Sequence, residues 1–334
     1  MKREVGVILA ILVALGSVSC ARKKAKAGDY NLVVGVGVTG GLCNAPLYVA
    51  FEKGYFEAEG LTYTQYKVDN GQTIPLLTTG KIDVMGNLLA TLIQPLANGL
   101  EVKIPLGIHT GCVKVLVPPG SPIRTLADLR GKKIGTTGMA ASPTVITQRS
   151  LANIGVGVTA EKPEVEWLIF ASSDLPLAME KGSVDAIALN DPTAAIIENA
   201  GKGRVILNSA TDPYLKNEYC CVVVARNDTV KQHPEAVAKY CRAIQRASKF
   251  VQEHPEETAR LIVDKKYIPG DSAVNGAILK TYDYRASVSQ AKDAITRNTQ
   301  DLQRIGLVKR DVDAKALSAN TFIALAGVPD SLYK

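Results

Sequence analysis

Two runs of small residues are placed where a backbone can close around a solute. The first, Thr39-Gly40-Gly41-Leu42-Cys43-Asn44, follows the apolar run 32–38 and precedes Ala45-Pro46-Leu47-Tyr48-Val49-Ala50. The second runs from Thr136 to Pro143, contains Gly138, Ala141 and Ser142, and also leads into a helical pattern. Glycine lets backbone approach a ligand closely, and the first free NH groups of a following helix are ready donors. Pro46 and Pro143 suit first helical turns. Ser142 can cap its helix or donate to a ligand, and the two roles are compatible. Two more polar pairs, Gly86-Asn87 and Asn190-Asp191, end short β-rich runs. The carboxamides of Asn87 and Asn190 both donate and accept, which suits a solute of mixed polar groups. Asp191 can cap the helix after Pro192 or face the solute. Facing it unpaired, Asp191 would oppose a nitrate or sulfate by repulsion and desolvation, and no arginine is placed for a bidentate clamp. These residues therefore favour a neutral or amine-bearing organic ligand over an inorganic anion.

Catalytic chemistry finds no such support. His109, His233 and His254 show no metal-ligand spacing, and there is no Gly-x-Ser-x-Gly elbow, phosphate-cradling loop or paired-carboxylate motif. Neither a cofactor nor a catalytic or metal-binding residue is expected. Besides Cys20, five cysteines remain: Cys43, Cys112, Cys220, Cys221 and Cys241. An odd number at irregular spacing is not a disulfide framework. It leaves two readings open, that one pair forms, Cys43 with Cys112, or that the compartment is weakly oxidising. Each cysteine otherwise reads as a small buried hydrophobe, with Cys43 and Cys112 also able to face a ligand, bind a soft metal or pair. Adjacent Cys220 and Cys221 should point to opposite faces of a strand and not grip one metal.

The elements that carry these residues alternate from Leu32 to Ala225. Apolar runs at 32–38, 61–66, 82–85, 102–108, 113–117, 133–135, 165–169, 186–189, 205–207 and 221–225 are separated mostly by helical patterns, which argues parallel sheets with crossover helices. After Ala225 the period is helical throughout, at 234–254, 255–265, 271–283, 288–305 and 311–317. One pattern occurs twice. Gly71-Gln72-Thr73 leads through a helix to Gly80-Lys81-Ile82-Asp83 and a strand ending in Asn87. Ser173-Asp174-Leu175 leads likewise to Gly182-Ser183-Val184-Asp185 and a strand ending in Asn190. Gly80 and Gly182 read as helix stops, Asp83 and Asp185 as exposed turn residues. The repeat suggests two similar lobes, and ligands bind at such strand ends in open α/β sheets.

The N-terminus has Lys2 and Arg3, an apolar run from Val5 to Leu15, and small residues before Cys20. It reads as an export signal over residues 1–20, its apolar run too short for a comfortable membrane span. Cys20 occupies the place of the acylated cysteine of a bacterial lipoprotein. Ser17 stands where such sites usually carry Leu, so cleavage without lipidation stays open. Residues 21–29, with Arg22, Lys23, Lys24 and Lys26, read as a flexible basic tether. Residues 1–21 carry +1 and residues 22–29 carry +3 of the net +7, which leaves a body near +3. With 5% aromatic residues and no basic run in that body, nucleic acid is not an expected partner.

The wording of the first unit, Ala45 to Ala50, Glu52-Lys53-Gly54-Tyr55-Phe56 and Glu59-Gly60-Leu61, resembles solute-binding proteins of nitrate/sulfonate/taurine-type ABC transporters. Pro118-Pro119-Gly120-Ser121-Pro122-Ile123 with Leu126 to Gly135 resembles the segment that opens the second lobe in that family. The resemblance implies an α/β, two-lobe, type II periplasmic-binding-protein-like fold with a helical C-terminal region. It places hinge crossings near 113–117 and 221–224, lobe I at 30–112 and 226–334, and lobe II at 113–225. Tyr219, beside Cys220 on the return crossing, then joins Thr39, Gly40, Cys43, Asn87, Gly138, Ala141, Ser142, Asn190 and Asp191 around the ligand. The implied protein is a monomer, lipid-anchored or soluble outside the cytoplasm. It closes on a small solute and presents it to a permease and its ATPase. A pyrimidine-precursor synthase of the thiamine pathway has a similar fold and is the enzymatic alternative. It carries a longer cysteine-rich run where this chain has Cys220-Cys221, and a cofactor-binding lysine where it has Asn87. A ligand sensor without transport is the third reading.

Overall fold

The computed structural model describes residues 30–38, 41–69 and 71–333. The export signal, Cys20 and the tether lie outside the described residues, as do Thr39 and Gly40.

The chain begins with β1 (Asn31–Gly37), α1 (Ala45–Glu52), α2 (Tyr55–Ala58), β2 (Thr62–Val68), α3 (Thr73–Thr78), β3 (Val84–Leu88), α4 (Leu89–Ala97) and β4 (Val102–Thr110). Gly111 and Cys112 then lead into β5 (Val113–Val117), β6 (Lys133–Thr136) and α5 (Ser142–Asn153). A hairpin of β7 (Val158–Thr159) and β8 (Lys162–Pro163) precedes β9 (Glu166–Ile169), α6 (Leu175–Glu180), β10 (Ala186–Asn190), α7 (Thr193–Asn199) and β11 (Arg204–Asn208). The chain returns at β12 (Tyr219–Arg226). It ends in α8 (Asn227–Gln232), α9 (Pro234–Glu253), α10 (Pro255–Asp264), α11 (Ser272–Leu279), α12 (Ser289–Arg304) and α13 (Ala314–Thr321).

Two five-stranded sheets result, ordered β2-β1-β3-β12-β4 and β11-β5-β10-β6-β9. Both are mixed. Strands joined by crossover helices run parallel, as β1 does with β2 and β3, and β6 with β9 and β10. β12 runs against β3 and β4, and β5 against β10 and β11. These are the two strands that enter one sheet directly from the other, without a helix to reverse their direction. Because β12 pairs within the first sheet, residues 219–225 sit with it and not with the 113–225 segment expected to form lobe II.

The repeated pattern is structural. Asp83 donates its backbone NH to the Val33 carbonyl at 2.8 Å, and its carboxylate accepts the Val33 NH at 2.8 Å. Asp185 brackets Lys133 in the same way, with both bonds at 2.8 Å. Each bracket fixes the start of a central strand, opposite the end that carries the small polar residues. Asp83 is buried, with Tyr30 and Thr229 hydroxyls also donating to it, so the expectation of an exposed turn residue fails there. Gly80 and Gly182 both adopt φ +71° just after their helices, the left-handed stop that glycine takes without strain.

α9 explains the helical tail. Its Val237, Tyr240, Cys241, Ile244, Ala247 and Val251 repeat at helical spacing, are all buried, and pack on α1 and α2. One apolar core runs from the first sheet into one face of the second, and a smaller cluster around Leu116, Leu175, Met179 and Ile187 covers the other face.

A buried ion network crosses between the layers. The fully buried Arg149 of α5 gives Glu218 two bonds of 2.7 Å, Asp301 of α12 one of 2.6 Å, and Asn298 of α12 one of 2.6 Å. Its Nε adds a 3.3 Å bond to Asp301, so all five donors are occupied. Burial alone would lower the guanidinium pKa, and Glu218 and Asp301 reverse that and raise it. Arg297 and Arg304, at the rim, lie 3.5 and 3.3 Å from the same two carboxylates and offset their excess charge. Replacing Arg149 by Met strands two buried carboxylates, and we expect urea unfolding to show a loss of about 3–5 kcal/mol. An unchanged midpoint would remove the network from any role in stability.

Candidate functional site

Of the expected site residues, Cys43, Asn190, Asp191 and Tyr219 lie where β4 leaves the first sheet. Gly111 and Cys112 both have positive φ, +88° and +94°. Cys112 is one of two non-glycine residues in that region among those described, a conformation that costs about 1–3 kcal/mol and persists where neighbours impose it. Its NH–CO unit is tied into the second sheet, since the Asp191 NH donates to the Cys112 carbonyl at 3.0 Å. Its Sγ lies 2.7 Å from Cys220 Sγ and accepts a 3.6 Å contact from Asn190 Nδ2.

The pairing of β12 with β4 slips on both sides of Cys221, so that Tyr219 faces Thr110, Cys221 faces His109 and Val222 faces Gly107. A bulge of this kind breaks the two-residue alternation of side chains. Cys221 groups with Cys43 and His109, while Cys220 meets Cys112, so the two neighbours take different partners. All five cysteines 43, 112, 220, 221 and 241 are free thiols, and Cys112 meets Cys220 where a bond with Cys43 was one expectation.

Cys43 sits in a turn of 3-10 helix, Leu42–Asn44, that the sequence reading did not foresee, just before α1. It is partly exposed, whereas Cys112, Cys220, Cys221 and His109 are buried. Hydrogen bonds from Cys112 and Cys221, and the nearby His109 ring, hold its thiol well below the ordinary range against the effect of burial. Burial pushes Cys112 well above that range. Cys220 and Cys221 are also raised, although each gains a thiol hydrogen bond, from Cys112 and Cys220 respectively. Among these thiols Cys43 is therefore the one whose pKa is lowered.

Other expected residues divide into committed and open groups. Asp191 is buried, accepts the Ala195 NH at 2.9 Å and the Tyr282 hydroxyl at 3.1 Å, and lies 3.6 Å from Lys114 Nζ. It holds the start of α7, the capping role left open by the sequence. Burial raises its pKa while Lys114 and Tyr282 pull it down. Tyr219 is buried, its hydroxyl donates to the Arg285 carbonyl and its ring lies over Gly107, 2.7 Å from where a Cβ would stand. Asn87 and Asn190 are half-buried at the ends of β3 and β10. Ser142 starts α5 without capping it, and its buried hydroxyl makes no hydrogen bond. The Gly138 carbonyl accepts from Thr144 at 2.6 Å and from the Ala141 NH at 3.1 Å, which shapes the turn before that helix.

A family model described as NMT1/THI5 like matches residues 44–258. The chain belongs to the NMT1/THI5-like family. The family match contains His109, Cys112, Asn190, Cys220 and Cys221. Tyr282 and the α12 residues that hold Arg149 lie beyond it. A Brucella abortus (strain 2308) protein named as a binding protein is 24% identical over 192 residues, which is 57% of this chain and 58% of the length of that relative. Among solved structures, the alkanesulfonate-binding protein SsuA from Xanthomonas axonopodis pv. citri, bound to MOPS, is 20% identical with a TM-score of 0.70. The superposition covers 88% of this chain and 98% of that one. The periplasmic nitrate-binding protein NrtA from Synechocystis PCC 6803 is 15% identical with a TM-score of 0.72, covering 88% of this chain and 86% of that one. These likenesses fix the fold as that of periplasmic binding proteins. No helix among the described residues is long and apolar enough to cross a membrane.

The cluster predicts selective reactivity. Limiting iodoacetamide near neutral pH should label Cys43 first and leave Cys241 unmodified, since burial in α9 pushes the Cys241 thiol up. Peptide mass spectrometry reads the order, and equal labelling of the two would contradict the lowered pKa of Cys43.

Proposed function

We propose that the chain is an extracytoplasmic solute-binding protein of an ABC importer, which captures a small polar organic solute between two lobes and closes on it by hinge bending. The observation that carries this reading is the pair of sheets joined at Gly111-Cys112 and at residues 209–218. Each sheet ends in a small-residue turn next to a polar strand end. The names of the structural neighbours, an alkanesulfonate-binding and a nitrate-binding protein, support a small-molecule role. Lobe I comprises 30–112 with 226–334, extended to include β12, and lobe II begins at 113 and ends before β12. Residues 1–20 act as an export signal, Cys20 as a lipid anchor and 21–29 as a tether. The mature monomer delivers its solute to a permease and ATPase and turns nothing over.

Asn87, Asn190, the Ser142 hydroxyl and the free NH groups of the α5 N-terminus supply the polar contacts, together with Thr39, Gly40 and Cys43 from the first turn. Two buried cations near these residues are already committed, Arg149 to its network and Lys114 to Asp191 and Glu198. That favours a neutral or amine-bearing solute over an inorganic anion.

Thermal-shift screening of the mature chain against sulfonates, nitrate, bicarbonate, pyrimidines and small amines tests this. A true ligand at a hundred times its Kd adds about 2.7 kcal/mol. Stabilisation by inorganic anions alone would overturn the organic-solute reading. We expect Asn190→Ala to weaken solute binding while the ligand-free protein melts as before. Asp191→Ala should instead lose about 1–2 kcal/mol of stability, because the Ala195 NH and the Tyr282 hydroxyl lose their acceptor while Lys114 keeps Glu198. Unchanged solute affinity in Asn190→Ala would remove that residue from the site.

A further inference from the structure

Capture of a polar organic solute does not call for two cysteines and a histidine at one point. Cys43 Sγ, Cys221 Sγ and a ring nitrogen of His109 all lie within 4.8 Å of one another. They come from three elements: the turn before α1, β12 and β4. The His109 ring is buried and stacked on Tyr282, with centroids 5.5 Å apart and planes 7° from parallel. Its Nδ1 faces the Thr110 carbonyl oxygen at 3.0 Å, which places the ring proton there. Nε2 then carries the lone pair, and this buried atom makes no hydrogen bond. A carbonyl that holds Nδ1–H and leaves Nε2 bare is how proteins orient an imidazole towards a metal.

We propose that Cys43, His109 and Cys221 bind a thiophilic d10 metal cation, Zn2+ or Cu+, at the floor of the cleft. Two thiolates and an imidazole suit soft and borderline ions and not Ca2+ or Mg2+, which take oxygen ligands. With bonds of about 2.0–2.3 Å to such an ion, ligand atoms stand about 3.5–4 Å apart, so the observed spacing closes with a shift of about 1 Å or less. Both cysteines bind as thiolates, and any thiol proton they still hold is released to solvent on binding. Zn2+ with two thiolates and a neutral imidazole carries no net charge, which makes it the ion that adds no uncompensated charge to an apolar floor. Cys43 is partly exposed and gives the ion a way in. Three protein ligands leave a fourth position, for Cys112 or for a donor atom of a captured solute.

The test uses the mature chain, reduced and desalted without oxygen. Co2+ serves as the spectroscopic probe, and Zn2+ is titrated against a chromophoric chelator. A thiolate-to-cobalt charge-transfer band that Zn2+ abolishes, a single Zn2+ per chain, and protection of Cys43 from iodoacetamide are expected. Cys43→Ser and Cys221→Ser should each weaken Zn2+ binding by at least about tenfold, and Cys241→Ala should leave it unchanged. Metal-free melting curves show whether each variant folds. If Cys221→Ser does not, the wild-type cobalt band and Cys43→Ser decide. A wild-type chain with no charge-transfer band, or Zn2+ affinity untouched in Cys43→Ser, overturns the proposal. Repeating the solute screen with and without Zn2+ reads organic-solute capture separately.

Discussion

Arg149 is the interaction on which the arrangement of the two layers depends. A guanidinium with no exposed surface survives only where every donor is matched, and here α5, α12 and the residue before β12 must all be in place to match it. Breaking any of the three leaves a charge in an apolar interior. The network thus sets where α5 lies relative to the first sheet. The N-terminus of α5 carries Ser142, so the position of one open hydroxyl is controlled by an ion cluster two helical turns away. It also ties the return strand β12 to the C-terminal helices at Glu218, immediately before the strand that supplies Cys220 and Cys221.

The same logic accounts for the thiol cluster. Cys112 sits in a conformation that side chains avoid, and β12 carries register slips around Cys221. Either irregularity alone would cost stability with no return. Together they bring Cys43, Cys221 and His109 within reach of one another and set Cys112 against Cys220 and the end of β10. Local strain of this kind often accompanies functional sites, and here it lies beside Asn190.

The strands were legible because apolar runs bounded by turn residues are a strong signal, and the amphipathic stripe of α9 marked the C-terminal helices. Mixed sheets were not legible from periodicity, which is blind to strand direction. The β7–β8 hairpin and α8 were too short and too polar to show a period. Of the site, the turns before α1 and α5 and the carboxamides at the ends of β3 and β10 could be read from residue type and position. The cysteine cluster could not, since it depends on a bulge and a left-handed residue that spacing does not reveal. Arg149 gave little warning: a single cation in the run Val145-Ile146-Thr147-Gln148-Arg149-Ser150-Leu151 reads as an exposed face until its partners, more than sixty residues away, are known.

The twin brackets of Asp83 and Asp185 carry one more consequence. Each clamps the foot of its sheet by holding a neighbouring strand's main-chain NH and CO with its own carboxylate and NH, so the clamp is indifferent to which side chains stand at the opposite rim. Residues at that rim can be exchanged without loosening the strands beneath them. A fold fastened at one end and free at the other can change what it recognises while keeping its shape, and the duplicated clamp gives both halves of the cleft that licence independently.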